Sequence, residues 1–139
     1  MKRVDHLAVA VPNLEEALSF YQTQLGLRLI CIEVVEEQGV RVAKLDAGNT
    51  HIELLEPLSA DSPVGKFLAQ RGAGLHHVCL GVDDIDAELT KLKEGSVRLI
   101  DSEPKIGAGG ARIAFVHPKA SGGVLMELSQ PVDQSLSEH

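Results

Sequence analysis

The 139-residue sequence contains no tryptophan, one tyrosine and three phenylalanines. So few aromatic side chains leave few surfaces on which bases could stack, which argues against recognition of single-stranded nucleic acid. A formal net charge of −7 argues against nucleic-acid binding in general, because that function requires a basic face. An anionic small molecule is still possible, since the local charge at a site decides whether it binds there.

Long apolar runs and signals for export are also missing. No apolar run approaches the roughly 18 residues that a membrane span requires, and the start, MKRVDHLAVAV, lacks the apolar core and cleavage site of a signal peptide. The only two cysteines, Cys31 and Cys79, lie in apolar stretches, which predicts two buried thiols rather than a disulfide framework. We therefore expect a cytoplasmic protein with neither a membrane nor a nucleic-acid partner.

A weak internal repeat is the most informative feature that the sequence does contain. The segment VDHLAVAVPNLEEAL is similar to HHVCLGVDDIDAEL, which aligns His6 with His77. Later, THIELLEP is similar to VLMELSQP, which aligns Glu53 with Glu127. The two offsets, 71 and 74 residues, differ by no more than short changes in loop length would produce. Two separate pairs of similar segments at nearly the same offset predict a duplicated module.

Both halves of the repeat show the same order of predicted elements, βαβββ. In module one, about 3–58, a strand over 4–11 precedes a helix that Asn13 caps and Gly26 ends. Three strand-like runs separated by turn residues complete this module: GLRLICIEVV, GVRVAKLDAG and THIELLEP.

Module two, about 74–130, follows a short linking helix over about 62–71, which begins at Ser62-Pro63. Its predicted elements are a strand at 77–82, a helix from Asp84 to about Glu94, and strands near 97–101, 111–117 and 123–129. We expect both modules to belong to one domain over 1–131, followed by a polar tail over 132–139.

The aligned polar residues lie on strands whose successive side chains point to opposite faces. His6 shares its face with two alanines and His77 with a cysteine and a glycine, so each imidazole has small neighbours, as a cavity requires. Glu53 and Glu127 each lie in an apolar strand, where a carboxylate is costly unless it is paired or bound to a cation. Two histidines and two glutamates are plausible ligands for one divalent ion, and mixed nitrogen and oxygen ligands favour a transition metal over Ca²⁺.

Plainer interpretations of the polar residues stay open. Any one of the four could be an ordinary hydrogen-bonded histidine or a solvent-facing glutamate, and only their recurrence favours the ligand interpretation. We expect His76 to be structural on the opposite face, His51 to be a weaker alternative ligand, and His117 to lie in a loop or at a strand end. The run GAGG at 107–110 is expected to form a turn or mobile loop. Three basic residues flank it and could balance an anionic ligand: Lys105, Arg112 and Lys119.

Longer runs of the sequence resemble the vicinal-oxygen-chelate superfamily, which includes glyoxalase I, extradiol dioxygenases and fosfomycin-resistance proteins. Over roughly residues 3–130 the chain is similar to the methylmalonyl-CoA epimerase family within it. The similarity is carried by DHLAVAVPNLEEALSFY, EEQGVRVAKL, HIELLEPLSADSPVGKFLAQRGAGLHHVCL, EPKIGAGG and IAFVHPKASGGVLMEL. The resemblance implies an α+β fold in which paired βαβββ modules form one curved mixed sheet around a metal site.

The resemblance also implies an activity and a set of site residues. The activity is metal-dependent epimerisation at C2 of (R)/(S)-methylmalonyl-CoA, by proton abstraction and return through a metal-stabilised enolate. One divalent ion per chain, Co²⁺ before Mn²⁺, Ni²⁺ or Zn²⁺, would be held by His6, Glu53, His77 and Glu127. The two glutamates would also transfer the proton, the substrate would be a small acyl-CoA, and the chain would form a homodimer.

Two other functions stay open alongside this one. One is a glyoxalase I-type isomerase acting on a glutathione hemithioacetal, and the other is a metal-free small-molecule-binding protein of the same fold.

One position departs from a pattern found in that family. Some relatives carry a glutamate two residues after the Gly-Val of EEQGV and a glutamine where Glu53 stands. This chain has Val42 at the first of these positions. The exchange predicts that Glu53 takes the role of the missing carboxylate, with Glu127 as its opposite number.

Overall fold

The structure is a computed structural model, and it describes residues 2–132. Module one begins with strand β1, Arg3–Ala10, and helix α1, Leu14–Leu18. The helix begins where the side chain of Asn13 accepts a hydrogen bond from the Glu16 N–H, and it continues as a π-helical segment, Ser19–Gln24. The three predicted strands follow: β2 is Arg28–Val35, β3 is Val40–Asp46 and β4 is His51–Pro57.

Module two follows the linking helix α2, Pro63–Arg71, which Ser62 caps by accepting a hydrogen bond from the Gly65 N–H at 3.1 Å. Its first two elements are strand β5, Gly74–Gly81, and helix α3, Ile85–Glu94, which begins after Asp84 as predicted. The last three strands are β6, Lys105–Ile106, β7, Arg112–Val116, and β8, Met126–Gln130. Apart from Val132, the predicted polar tail lies outside the described residues.

The strand predicted near 97–101 is wrong. Leu99 forms only an isolated bridge with Val116, and the short β6 takes the edge of the sheet instead. The reason lies in Asp101, whose carboxylate accepts the Phe115 N–H at 2.8 Å and so replaces the main-chain partner that a strand would supply.

All eight strands form one mixed sheet in the order β2-β3-β4-β1-β5-β8-β7-β6. Within each module the first strand pairs in parallel with the last, β1 with β4 and β5 with β8, and the modules join through antiparallel β1 and β5. The sheet is curled, so that the loop after β6 reaches the opposite edge strand, where the Gly109 N–H donates to the Glu33 carboxylate at 2.9 Å. The predicted α+β fold with one curved mixed sheet is confirmed.

The two faces of the curved sheet are filled differently. On the convex face α1 covers module one through Leu14 and α3 covers module two through Ile85 and Leu89. On the concave face a third apolar cluster, which includes Ala8, Val42, Leu55 and Val64, lies beneath α2. None of the helices in the described part of the chain is long and apolar enough to cross a membrane.

The two cysteines differ in burial, which corrects one expectation. Cys79 is buried as predicted, but Cys31 is exposed. The reason is that β2 is an edge strand of the sheet, and its neighbours Ile30, Ile32 and Val34 are also exposed.

Gly65 in the first turn of α2 is expected to tolerate no larger side chain. A Cβ there would lie 2.7 Å from the carbonyl oxygen of Ala60 and closer still to that of Ser59, and neither backbone atom can move aside freely. We expect Gly65→Ala to lower the free energy of unfolding by about 1–3 kcal/mol, the usual cost of overpacking. Urea denaturation would measure it, with Gly95→Ala as the control, because a Cβ at Gly95 meets nothing nearer than 3.6 Å.

Candidate functional site

The concave face of the sheet encloses a cavity of about 820 Å³ lined by both modules. Each of the four central strands contributes one predicted ligand to its lining, and each of these residues is only 5–6% exposed. These are the four residues predicted as ligands: His6 on β1, Glu53 on β4, His77 on β5 and Glu127 on β8. The duplicated modules therefore bring the four side chains into one cavity.

Three donor atoms converge at the centre of this cavity. His6 Nε2 lies 3.3 Å from His77 Nε2 and 3.1 Å from Glu127 Oε1, and His77 Nε2 lies 2.9 Å from the same oxygen. These three residues form a group whose ligand atoms could hold one ion. We call them the three-donor group.

The three-donor group fits a metal ion on its own geometry. Glu127 Oε1 is buried and has no hydrogen bond of good geometry among the described residues, although it faces two imidazole nitrogens. Ligands at about 2.1 Å from one ion and at right angles to each other lie about 3 Å apart, which is the spacing of these three atoms. A shared cation would satisfy the buried oxygen and both nitrogens at once.

Glu53 lies beside the three-donor group rather than within it. Its Oε2 is 3.4 Å from His6 Nδ1, on the other side of that ring from the converging atoms. Burial raises the pKa of Glu53 above its usual range, an effect that the charge of His6 opposes and that of Glu127 reinforces. The side chain is therefore a stronger base than an ordinary glutamate.

Glu127 differs electrostatically from Glu53. Burial by itself would raise its pKa, but the contacts with His6 and His77 outweigh burial and hold the pKa of Glu127 at about 2. A carboxylate that stays ionised against two imidazoles is suited to holding a cation, whereas Glu53 is suited to accepting a proton.

Two further residues of the site were missed by the sequence analysis. Asp5 Oδ2 lies 2.8 Å from His6 Nδ1, and His76 Nδ1 lies 2.8 Å from His77 Nδ1. Both residues line the cavity, so the expectation that His76 faces away from it is wrong. The available signal was their spacing, because Asp5 precedes His6 as His76 precedes His77 in the repeat.

Burial and neighbouring groups change the charge of the residues around His6 and His77. Burial lowers the pKa of His76 to about 4, with help from His77, so that ring is neutral near pH 7. The hydrogen bond with His6 lowers the pKa of Asp5, which keeps that carboxylate ionised. Burial raises the pKa of Cys79 to about 12, which leaves a neutral thiol beside His6.

The structure does not bring the other candidate histidines into the three-donor group. His51 lines a separate cavity of about 160 Å³, and its buried Nδ1 has no hydrogen-bond partner among the described residues. His117 lies at the end of β7, where its Nδ1 accepts the Lys119 N–H at 3.1 Å and caps a short 3₁₀ turn.

The GAGG segment forms a 3₁₀ turn, Ala108–Gly110, at the edge of the cavity. Lys105 nearby lines the cavity and pairs with Asp101 at 3.2 Å, whereas Arg112 pairs with Asp86 at 2.8 Å on the surface.

Comparisons with known proteins agree with this geometry. Residues 5–115 match the Glyoxalase/Bleomycin resistance protein/Dioxygenase superfamily. The chain is 48% identical to the mitochondrial methylmalonyl-CoA epimerase of Mus musculus, over 92% of the chain and 72% of the relative. It is 44% identical to the ethylmalonyl-CoA/methylmalonyl-CoA epimerase of Cereibacter sphaeroides, over 92% and 97%. A variant of Streptomyces coelicolor methylmalonyl-CoA epimerase, solved in complex with 2-nitronate-propionyl-CoA, is 41% identical with a TM-score of 0.88, over 94% of each chain.

Proposed function

The chain belongs to the Glyoxalase/Bleomycin resistance protein/Dioxygenase superfamily and, within it, to the methylmalonyl-CoA epimerases, and we propose that it interconverts (R)- and (S)-methylmalonyl-CoA. It is an isomerase whose substrate is a small acyl-CoA thioester. The observation that carries the proposal is the presence of two buried carboxylates, Glu53 and Glu127, in one cavity with two imidazoles. Inverting C2 requires proton removal on one face and proton delivery on the other, so two such groups are needed.

The proposed metal centre consists of the three-donor group, with Glu53 as the fourth ligand position beside it. Two imidazoles and two carboxylates suit one divalent transition-metal ion, and Co²⁺ is our first expectation, with Mn²⁺, Ni²⁺ or Zn²⁺ as alternatives. When bound, such an ion supplies a Lewis acid that stabilises negative charge on the thioester oxygen.

Proton transfer at C2 is assigned to the two carboxylates. Between a thioester and a carboxylate, C2 carries an acidic hydrogen, and Glu53 takes this proton to leave the enolate of the substrate. The burial that raises the pKa of Glu53 strengthens it as a base for this step. Glu127 is proposed as the acid–base group on the opposite face: its low pKa makes it a ready donor once it has taken a proton from water, and it returns that proton to C2. For the other epimer the two carboxylates exchange roles, and exchange with water resets their protons between turnovers.

The walls of the cavity support this chemistry by limiting water around the reacting carbon. Apolar side chains from both modules line it, including Val42, Leu55 and Phe115. Its volume of about 820 Å³ is within the usual range of small-molecule sites, about 300–1,000 Å³. Interactions between charged groups are stronger in such a setting than in bulk water.

Exchange of the C2 hydrogen with solvent is the experiment that tests the proposal. We expect the Co²⁺-loaded protein to incorporate deuterium from D₂O at C2 of methylmalonyl-CoA, as measured by mass spectrometry, because the carboxylate that returns a proton is not the one that removed it and takes its proton from water between turnovers. The same protein treated with a chelator, and then supplied with Co²⁺, should lose and regain exchange.

The hemithioacetal of glutathione and methylglyoxal serves as the control substrate, and we expect no turnover of it. Absence of deuterium incorporation with both Co²⁺ and Mn²⁺ supplied would contradict the proposed function, and turnover of the hemithioacetal alone would select the glyoxalase I-type isomerase.

The oligomeric state and compartment are part of the proposal. The exposed apolar side chains of the edge strand β2, Ile30, Ile32 and Val34, offer a surface that a second copy of the chain would cover, which supports a homodimer. The free thiols of Cys31 and Cys79 support the reducing environment of the cytoplasm. Analytical ultracentrifugation would measure the mass in solution.

A further inference from the structure

We propose that Asp5 and His76 are positioning residues. They hold the imidazoles of His6 and His77 so that both Nε2 lone pairs point to the centre of the three-donor group, where the metal ion would bind. The inference deepens the proposed function and rests on it, because it concerns the two rings assigned to the metal. Two hydrogen bonds of 2.8 Å and two irregularities in strand pairing carry it.

The contact between Asp5 and His6 sets the tautomer of the His6 ring. A neutral imidazole has one N–H and one lone pair, and an ionised carboxylate can only accept a hydrogen bond. Since Asp5 Oδ2 lies 2.8 Å from His6 Nδ1, that nitrogen donates, and in the neutral ring, the form that binds a metal, the lone pair belongs to Nε2. His6 Nε2 is the atom 3.1 Å from Glu127 Oε1.

The contact between the neighbouring histidines sets the second ring in the same way. His76 Nδ1 and His77 Nδ1 are 2.8 Å apart, so one of them donates and the other accepts. If His77 accepted, its proton would lie on Nε2, and that nitrogen would have no lone pair for the metal ion that the proposed function places beside Glu127. His77 therefore donates and His76 accepts, while an edge-to-face contact with Phe67 holds the His76 ring.

Two β-bulges explain why adjacent residues of a strand reach the same site. Val4 pairs with Leu80 and His6 with Cys79, which leaves Asp5 as an extra residue in β1. A bulge re-aims the side chain of the extra residue, whereas a regular strand would turn it to the opposite face.

The second bulge places His76 in the same relation to its neighbour. Ala8 pairs with His77 and Val9 with Leu75, so His76 is the extra residue in β5. Each module thus has the same arrangement, in which a bulged residue directly precedes a ligand histidine. The two copies differ in charge, because one partner is a carboxylate and the other an imidazole. Hydrogen bonds to ionised groups are roughly twice as strong as neutral ones, so the bond to Asp5 should matter more.

Binding of Co²⁺ to matched variants tests the roles of both residues. Ligand histidines that lose such a partner typically bind metal 10–100-fold more weakly, so we expect about this loss for Asp5→Ala and for His76→Leu, with the larger loss for Asp5→Ala. Asp5→Asn and His76→Asn retain an acceptor oxygen near the same place and should recover most of the affinity. Asp86→Ala removes an equal charge from the surface and should leave Co²⁺ affinity unchanged.

Nitrogen-15 NMR of the Zn²⁺-loaded wild type provides a measurement that needs no variant. We expect Zn²⁺ on Nε2 and a slowly exchanging proton on Nδ1 in both His6 and His77. Zn²⁺ on Nδ1 of either ring would overturn the inference, and so would folded Asp5→Ala and His76→Leu proteins that bind Co²⁺ as tightly as the wild type. A wild type that binds neither Co²⁺ nor Zn²⁺ would overturn the proposed metal-dependent function itself. The results above would overturn only the roles of Asp5 and His76, so the two failures can be told apart.

Discussion

Replacing Glu53 with glutamine is expected to slow the epimerisation of methylmalonyl-CoA by about 10²–10⁴-fold, the contribution typical of one positioned acid–base group. Glutamine has nearly the shape of glutamate but cannot accept the C2 proton. Because the three-donor group does not include Glu53, and the amide oxygen of glutamine can still ligate an ion at the fourth position, Glu53→Gln should retain bound metal and a folded structure. Deuterium exchange at C2 measures the loss, and metal analysis of the same sample provides the control.

A second substitution makes this prediction sharper. Val42 is 4% exposed, lines the same cavity, and pairs across β3 and β4 with Leu55, two residues from Glu53. Adding Val42→Glu to the Glu53→Gln variant returns a carboxylate to that wall, in the arrangement found in some relatives, and should restore part of the exchange rate. Full activity of Glu53→Gln alone would show that Glu53 is not the base.

Replacing His77 with alanine is expected to lower Co²⁺ affinity by at least about 100-fold, since loss of a direct ligand should cost no less than loss of its supporting partner. The rate of proton exchange at C2 should fall together with the Co²⁺ affinity, because only His6 and Glu127 of the three-donor group would remain to hold the ion. Equilibrium titration with Co²⁺ against a competing chelator measures the affinity.

The matched control for this loss is His51→Ala. His51 is the other histidine that the sequence offers as a ligand, but it lines a separate cavity, so its removal should leave Co²⁺ affinity unchanged. If His77→Ala changed neither the metal content nor the binding of methylmalonyl-CoA, the chain would be a metal-free binding protein of this fold.

Much of the fold follows from the sequence because the two patterns that predict it, apolar periodicity and helix-capping residues, are local. Period-two apolar runs identify the three strands after α1, and capping residues such as Asn13, Ser62 and Asp84 mark where helices begin. The strand predicted near 97–101 failed because the Asp101 side chain replaces a main-chain partner, and that exchange depends on Phe115, a residue on another strand.

The four polar side chains of the site could also be predicted from the sequence. The repeat aligns His6 with His77 and Glu53 with Glu127, and alternation along a strand assigns each side chain to a face of the sheet. What the tertiary structure alone decided is which neighbours turn toward them. Alternation assumes a regular pleat, but the bulges at Asp5 and His76 arise where β1 pairs with β5, a strand some 70 residues away. Only this long-range pairing brings a carboxylate to one ligand histidine and an imidazole to the other.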